Sequence, residues 1–352
     1  MIKIISHFLL FIYTSLAFSQ VPGYYSSIDF NQDGTSIRIQ LSELISNTHH
    51  TYIPYTSSST DTWDILRQSD IEYENSTDVL LIYGYDDNDN EFISDRTRDI
   101  YDTCHTSWCN GLWNREHVFA RSLANPSLTT FEPGPGTDVH NLRAADSQKN
   151  TERSNRLFTD SEGDSGIVDH YYYPGDEWKG DIARIIMYMY LRYPGQCEPI
   201  NSGAGSISYA PNNDMPDVFL EWNQQDPVSD IEVRRNEIIS SYQGNRNPFI
   251  DNPFLATIIW SGPEAQDTWN ILSGSVKTID KIVINPTVAD DFIEISNFDS
   301  DKFKFLIINQ LGQILMEINN NKLIDISALP SGIYVLKLVE SNKTLQSKFI
   351  VK

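Results

Sequence analysis

The sequence predicts two folded parts: a largely helical domain with some strand, followed by a small β-sandwich. Three observations carry this. Ile182, Ile185, Ile186, Met189 and Tyr190 fall at i, i+3, i+4, i+7 and i+8, the spacing of one helix face, across residues 180–193. Asp78-Val79-Leu80-Leu81-Ile82-Tyr83 is a short apolar run of strand length. From Ile279 onward, short strand-like runs alternate with turns. A chain of 352 residues has room for both parts.

Taken in order, Lys3 followed by a mostly apolar run to Ala17, with small residues around Ala17-Phe18-Ser19, reads as a secretory signal over residues 1–19. That run is short for a membrane span, and no later stretch is long and apolar enough, so the mature protein is expected to be soluble and exported. The first domain is placed at residues 20–262. Residues 37–45 have the spacing of a helix, or of a strand followed by a helix. Residues 57–61 end in a helix cap ahead of Trp63, Ile65 and Leu66. Pro194-Gly195 stops the long helix. Residues 218–222 and 231–242 are further helical pieces, with Asp226-Pro227 between them and Gly244 as the stop. Residues 247–253 are turn-rich, 254–260 form a last packed piece, and 263–278 read as a linker. The sandwich is placed at 279–352, with Asn309-Gln310-Leu311-Gly312 as a hairpin loop. This tail has no His and no Cys.

The net charge is −22, and it is unevenly spread. Residues 20–110 hold 16 acids against 4 bases, whereas residues 111–158 hold 5 acids against 6 bases. An acidic protein repels a polyanion at a distance, so a high-affinity nucleic-acid binder is disfavoured, while an enzyme gripping phosphate in one short groove is not. In an exported protein Cys104 and Cys109 can close a small disulfide loop, with Cys197 left over. A zinc site would need a second close pair. Asp86-Asp87-Asn88-Asp89-Asn90-Glu91 has oxygen donors that suit calcium, but a solvated acidic loop is the favoured reading. Asp29-Phe30-Asn31-Gln32-Asp33-Gly34 starts like a calcium loop, yet Gln40 stands where the twelfth-position glutamate belongs.

The near-neutral segment carries the chemistry. Asn114-Arg115-Glu116-His117-Val118-Phe119-Ala120-Arg121 sets a carboxylate beside an imidazole. Asp138-Val139-His140-Asn141-Leu142-Arg143 and Asn150-Thr151-Glu152-Arg153-Ser154-Asn155 follow. Phosphodiester hydrolysis needs a base for water and a cation for the developing charge. His117 suits the base, because imidazole titrates near neutrality. Glu116 suits a hard cation such as magnesium, which prefers oxygen donors and keeps several waters. Asn150 is the second metal ligand, with Asn155 as the competing amide. Arg143, Arg153 and Arg156 are candidates to hold the scissile phosphate. Adjacent strand residues point to opposite faces, so Glu116 and His117 need a bend or a twisted hairpin to converge on one phosphate; Gly111 and Asn114 permit that. His140 reads as a structural histidine, and Trp113 and Phe119 as core.

These motifs, with Lys179-Gly180-Asp181-Ile182-Ala183-Arg184, Trp222-Asn223-Gln224-Gln225-Asp226-Pro227 and Gln243-Gly244-Asn245-Arg246-Asn247-Pro248-Phe249-Ile250-Asp251, resemble the endonuclease I family of secreted bacterial nucleases over residues 24–260. The resemblance implies an α+β fold around a ββα-metal (His-Me) finger. It implies magnesium-dependent, largely sequence-independent cleavage of DNA, often of RNA too, by a monomer, with calcium or manganese as alternative ions. The family's base falls on His117 and its metal ligands on Glu116 and Asn150. Its phosphate arginine falls among Arg143, Arg153 and Arg184, and Arg115, Arg121, Arg156 and Arg184 are expected to contact substrate. The tail, with Ile284-Asn285-Pro286 and Leu329-Pro330-Ser331-Gly332-Ile333-Tyr334-Val335, resembles the C-terminal sorting domain of the type IX secretion system. That implies recognition by the secretion machinery, export, and removal of the tail to leave the enzyme released or attached to the cell surface. The expectation is therefore a secreted, metal-dependent, non-specific endonuclease. The competing reading is a non-enzymatic acidic calcium-binding or adhesion protein. A metalloprotease is disfavoured by the lack of His-Glu-x-x-His.

Overall fold

The computed structural model describes residues 21–106, 109–271, 284–295, 304–310, 312–319, 321–340 and 343–352. The expected signal at 1–19 lies outside the described residues. The chain divides into two compact units, Met1–Ile271 and Leu272–Lys352.

The first unit opens with α1 (Gly34–Thr48) and α2 (Thr62–Ser69). Asp33 caps α1 by accepting from Ser36 N at 3.0 Å, and Ile37, Leu41 and Ile45 bury one helical stripe. The ambiguous 37–45 segment is therefore helix, and Asp33 is its cap. Asp61 and Asp64 form a reciprocal capping box on α2. Next come β1 (Asp78–Leu80), β2 (Thr97–Asp99), β3 (Trp113–His117) and β4 (Leu142–Asp146), which runs directly into α3 (Ser147–Arg153). After β5 (Gly166–Val168) and β6 (Tyr171–Tyr173) the chain is helical: α4 (Lys179–Arg192), α5 (Asp217–Gln225), α6 (Asp230–Gln243), α7 (Pro248–Asp251) and α8 (Phe254–Trp260). The strands form three separate antiparallel pairs, β1–β2, β3–β4 and β5–β6.

Helix α4 is the axis of this unit. It is buried almost all round, from Gly180 to Leu191, and packs on α1, α5 and α7. Its apolar face was legible; its polar face is buried too, because Asp181 and Arg184 find charged partners inside. The predicted strand over 78–83 holds only for its first three residues. Leu81, Ile82 and Tyr83 are buried but leave the ladder, and Ile82 N donates to Ala144 O at 2.8 Å. Apolarity there reports burial rather than strand. The predicted linker at 263–278 also starts too early. Trp269 sits 4.6 Å from the Tyr25 ring, and Thr268 Oγ1 donates to Asp251 O at 2.7 Å, so residues up to Ile271 belong to the first unit. Residues 272–278 lie outside the described residues.

The second unit holds β7 (Ile284–Asn285), β8 (Val288–Ala289), β9 (Phe292–Ile295), β10 (Lys304–Ile308), β11 (Ile314–Asn319), β12 (Leu323–Asp325), β13 (Gly332–Glu340) and β14 (Lys343–Val351). These form a five-stranded sheet in the order β11-β10-β13-β14-β8 and a three-stranded sheet in the order β12-β9-β7. Alternate residues such as Ile293 and Ile295, Phe305 and Ile307, and Tyr334, Leu336 and Leu338 enter one core, as a two-sheet sandwich requires.

Candidate active site

The site is built on β3, β4 and α3. The strands pair with Glu116 opposite Arg143 and His117 opposite Leu142. Asp146 closes β4 and caps α3, accepting from Gln148 N at 2.8 Å and Lys149 N at 3.1 Å. The helix thus folds straight back onto both strands. β3 stops at His117: Val118 N turns to Asn141 O at 3.0 Å, and Arg153 donates to the carbonyls of His117 at 3.1 Å and Val118 at 2.7 Å. Glu116 and His117 both line a cavity of about 550 Å³, together with Arg115, Arg121, Asn150 and Asn155.

Each of the three central side chains is held in a defined way. Glu116 is buried; its Oε1 accepts from Tyr83 Oη at 2.9 Å and lies 3.0 Å from Arg153 Nη1. Burial pushes its carboxyl up to about 7, and Arg153 and Tyr83 offset that only in part. The His117 Nε2 lies 2.8 Å from Gly136 O. A carbonyl only accepts, so Nε2 carries the proton and Nδ1 holds the lone pair. Burial drives the imidazole down to about 4, against the Gly136 contact and with help from Arg121, Arg115 and Arg153, so the ring is neutral at pH 7. Tyr55 stacks on it at 5.6 Å. Asn150 Nδ2 donates to Asn114 Oδ1 at 2.8 Å, which turns its own Oδ1 away from that contact. Asn155 follows α3 and donates to Ser122 Oγ at 3.2 Å.

The arginines separate by environment. Arg121 is exposed at the cavity, with its Nε donating to Leu128 O at 2.9 Å. Arg115 also lines the cavity, but is tied to Tyr55 O, Thr62 Oγ1 and Thr56 Oγ1 and lies 3.4 Å from the Tyr55 ring centre. Arg153 is wholly buried, paired with Glu116 and donating to the two carbonyls at the β3 terminus. The structure does not bring Arg143 or Arg184 to the cavity. Arg143 is locked between Asp70 at 3.3 Å and Asp181 at 2.6 Å, and Arg184 is clamped by Glu232 at 2.6 and 2.7 Å. Both neutralise core carboxylates and are buried away from the cavity, out of reach of a phosphate there. Arg156 donates to the Glu152 carbonyl, off the cavity.

Residues 33–254 match the family model for Endonuclease I. The chain belongs to the endonuclease I family. Residues 283–352 match the secretion system C-terminal sorting domain, so this endonuclease I chain is a secreted nuclease carrying a type IX sorting module. It is 35% identical to the extracellular ribonuclease of Bacillus subtilis (strain 168), over 69% of this chain and 80% of that one. Identity to the extracellular ribonuclease of Bacillus amyloliquefaciens is 37%, over 67% of this chain and 78% of the relative. An extracellular deoxyribonuclease of Aeromonas hydrophila is 30% identical over 32% of this chain and 49% of its own length.

Other predicted features of the endonuclease I chain have structural duties. His140 is buried, with Nε2 3.2 Å from Asn245 O and its ring 4.5 Å from Tyr188. Asn141 brackets the Phe119 backbone, accepting from its N at 2.7 Å and donating to its O at 3.2 Å. Cys104 and Cys109 form a disulfide, and Cys109 N donates to Ser147 Oγ at 3.1 Å, tying that loop to the start of α3. Cys197 is buried and free, its thiol pushed well up by burial. The oxygens of the acidic 86–91 loop hold the local fold: Asp86 accepts from Asn88 N and Asp89 from Glu91 N, each at 2.8 Å, and Asp87 ties the loop to the start of β2 through Arg96 N at 2.7 Å and Thr97 N at 3.0 Å. Among the described residues no group of three or more His, Cys, Asp or Glu is placed to hold a metal, and no helix is long and apolar enough to cross a membrane. Sequence reasoning missed Tyr83, Tyr55 and Gly136. The first two come from distant segments and carry no local signal; Pro133-Gly134-Pro135-Gly136 reads only as a turn.

Proposed function

We propose that this cavity hydrolyses nucleic-acid phosphodiesters by a one-metal, histidine-base mechanism, and that β3, β4 and α3 are the ββα-metal finger of the family. The observation that carries the reading is that Glu116, His117 and Asn150 line one cavity although they lie on two elements. His117 Nδ1 takes the proton from a water that attacks phosphorus in line. The Gly136 carbonyl keeps the ring in the tautomer that leaves Nδ1 basic. Arg121 holds a non-bridging phosphate oxygen from the cavity rim, a role free of competing carboxylates.

The donor set fits a divalent cation. Glu116 is buried with too little positive charge nearby to keep it readily ionised, and Asn150, whose amide nitrogen is taken by Asn114, lines the same cavity. One carboxylate and one amide would suit magnesium, a hard cation that prefers oxygen donors. When bound, magnesium would stabilise the charge on the leaving oxygen. Nothing in this chemistry requires a 2′-hydroxyl. The two relatives matched over most of their length are named ribonucleases, and the third a deoxyribonuclease, which supports RNA and DNA as joint substrates.

The test is cleavage of supercoiled plasmid and of a structureless RNA by the purified protein, with magnesium or with EDTA. Wild type cuts both only with a divalent ion. Glu116→Ala and His117→Ala each lose about 100-fold or more while keeping the wild-type circular dichroism spectrum. Retained activity in His117→Ala, or no cleavage by folded wild type with any divalent ion, would overturn the mechanism.

A further inference from the structure

We infer that Phe131 is a stacking platform for an unpaired nucleobase next to the scissile phosphate, and that it biases this nuclease toward single-stranded substrate. This rests on the nuclease reading above, and adds a subsite to it.

Phe131 is 93% exposed, the most exposed large hydrophobic among the described residues, and sits in a loop with buried ends. Leu128 and Gly136 are both buried, while residues 131–133 between them are exposed. Both ends of this loop touch the active site. Ser127 and Leu128 line the cavity, and Gly136 O holds the His117 ring. The two ends also meet each other, since a Cβ on Gly136 would run into the Thr129 carbonyl. The far end is fixed as well: Gly134 N donates to Thr137 Oγ1 and Thr137 N to Gly134 O, each at 2.9 Å. Phe131 is two residues from Thr129, so its Cα lies within about 7 Å of the point where the loop closes against the catalytic histidine's anchor.

A phenyl ring offers no hydrogen bond, and its neighbour Glu132 repels phosphate. The part of a nucleic acid that suits this position is therefore the face of a base. In a duplex that face is covered by its stacked neighbours, whereas in a single strand it can be splayed onto an aromatic.

The experiment compares wild type, Phe131→Ala and Phe131→Trp on a fluorescein-labelled single-stranded oligonucleotide with one cleavable phosphodiester. Each is also assayed on the duplex, and on oligonucleotides abasic at one position either side of that bond. Binding is read by anisotropy in EDTA, and cleavage with magnesium. Phe131→Ala should weaken binding and raise KM on the single strand about tenfold, with kcat little changed. Phe131→Trp should restore both. The alanine effect should vanish on one of the two abasic strands and on the duplex. An equal alanine effect on intact and both abasic strands, or none at all, would overturn the proposal. Phe131-dependent binding without cleavage would instead uphold the platform and remove the nuclease mechanism.

Discussion

Asp138 and Glu116 are both fully buried carboxylates, and they behave in opposite ways. Burial alone would raise the Asp138 carboxyl, but His49, His140, Gln243 and Tyr188 together hold it below the ordinary range. Its oxygens take Tyr188 Oη at 2.7 Å, Tyr193 Oη at 2.8 Å, and His140 N and Gln243 Nε2 each at 3.0 Å. Glu116 has a phenol and one guanidinium, both on a single oxygen, and burial wins. A saturated buried carboxylate organises a core. An undersupplied one beside a cavity is a place for a cation. The same contrast separates Arg143, boxed in by Asp70 and Asp181, from Arg121, exposed at the cavity.

The sharpest break would come from Asp138→Ala. Removing the hub of a buried network should cost about 3–5 kcal/mol, read as a fall in Tm on the order of 10 °C, while the protein still folded cuts at the normal rate. A loss of kcat with unchanged Tm would erase the distinction between the two carboxylates. Tyr83→Phe addresses the Glu116 side. It removes one of the two contacts on Oε1 and should weaken magnesium binding about tenfold by titration calorimetry, with a small change in Tm. Arg121→Ala should raise KM about tenfold, whereas Arg156→Ala should leave KM unchanged.

A finer test uses pH. Glu116 titrates in the fold at about 7, above the ordinary glutamate value near 4.3. The metal-free folded protein therefore holds a proton that the unfolded chain has released. The stability from this group is full at low pH and is lost as pH rises toward 7. Asp138, held low, behaves in the reverse sense: its stabilisation is present above the ordinary aspartate range and is lost as pH falls through its lowered value. In EDTA, Glu116→Gln should therefore gain a few degrees in Tm over wild type at pH 8 and nothing at pH 4. Activity should follow the same competition. At limiting magnesium it should fall as pH drops through about 7, because protons displace the ion from Glu116. Saturating magnesium should move that limb down toward the His117 value of about 4. A limb insensitive to magnesium would remove Glu116 as the metal carboxylate.

Much of this was legible in the residues. The apolar spacing of α4, the alternation of the tail strands and the adjacency of Glu116 and His117 each reflect a local periodicity or a chemical pairing. The arginines were not legible. Arg143 and Arg184 sit in motifs as suggestive as that of Arg121, and only burial among Asp70, Asp181 and Glu232 shows that their charge is already spent. Tyr83 was hidden for a different reason. It lies 33 positions before Glu116 and holds a backbone φ of +76°, uncommon for a residue with a side chain, to bring its hydroxyl to the carboxylate. The early linker boundary failed because Trp269 and Ile271 pack within an otherwise polar stretch, where composition averages them away.

The His117 imidazole is oriented by a main-chain carbonyl, at Gly136, rather than by a carboxylate side chain. Substitutions at positions 130–133 therefore cannot delete the group that sets its tautomer, whatever residue they introduce. The loop is free to diversify, and even to lengthen, as long as its closing glycine stays bare against Thr129. Side chains can thus vary over evolutionary time along an exposed segment while the histidine's anchor three residues beyond it stays in register.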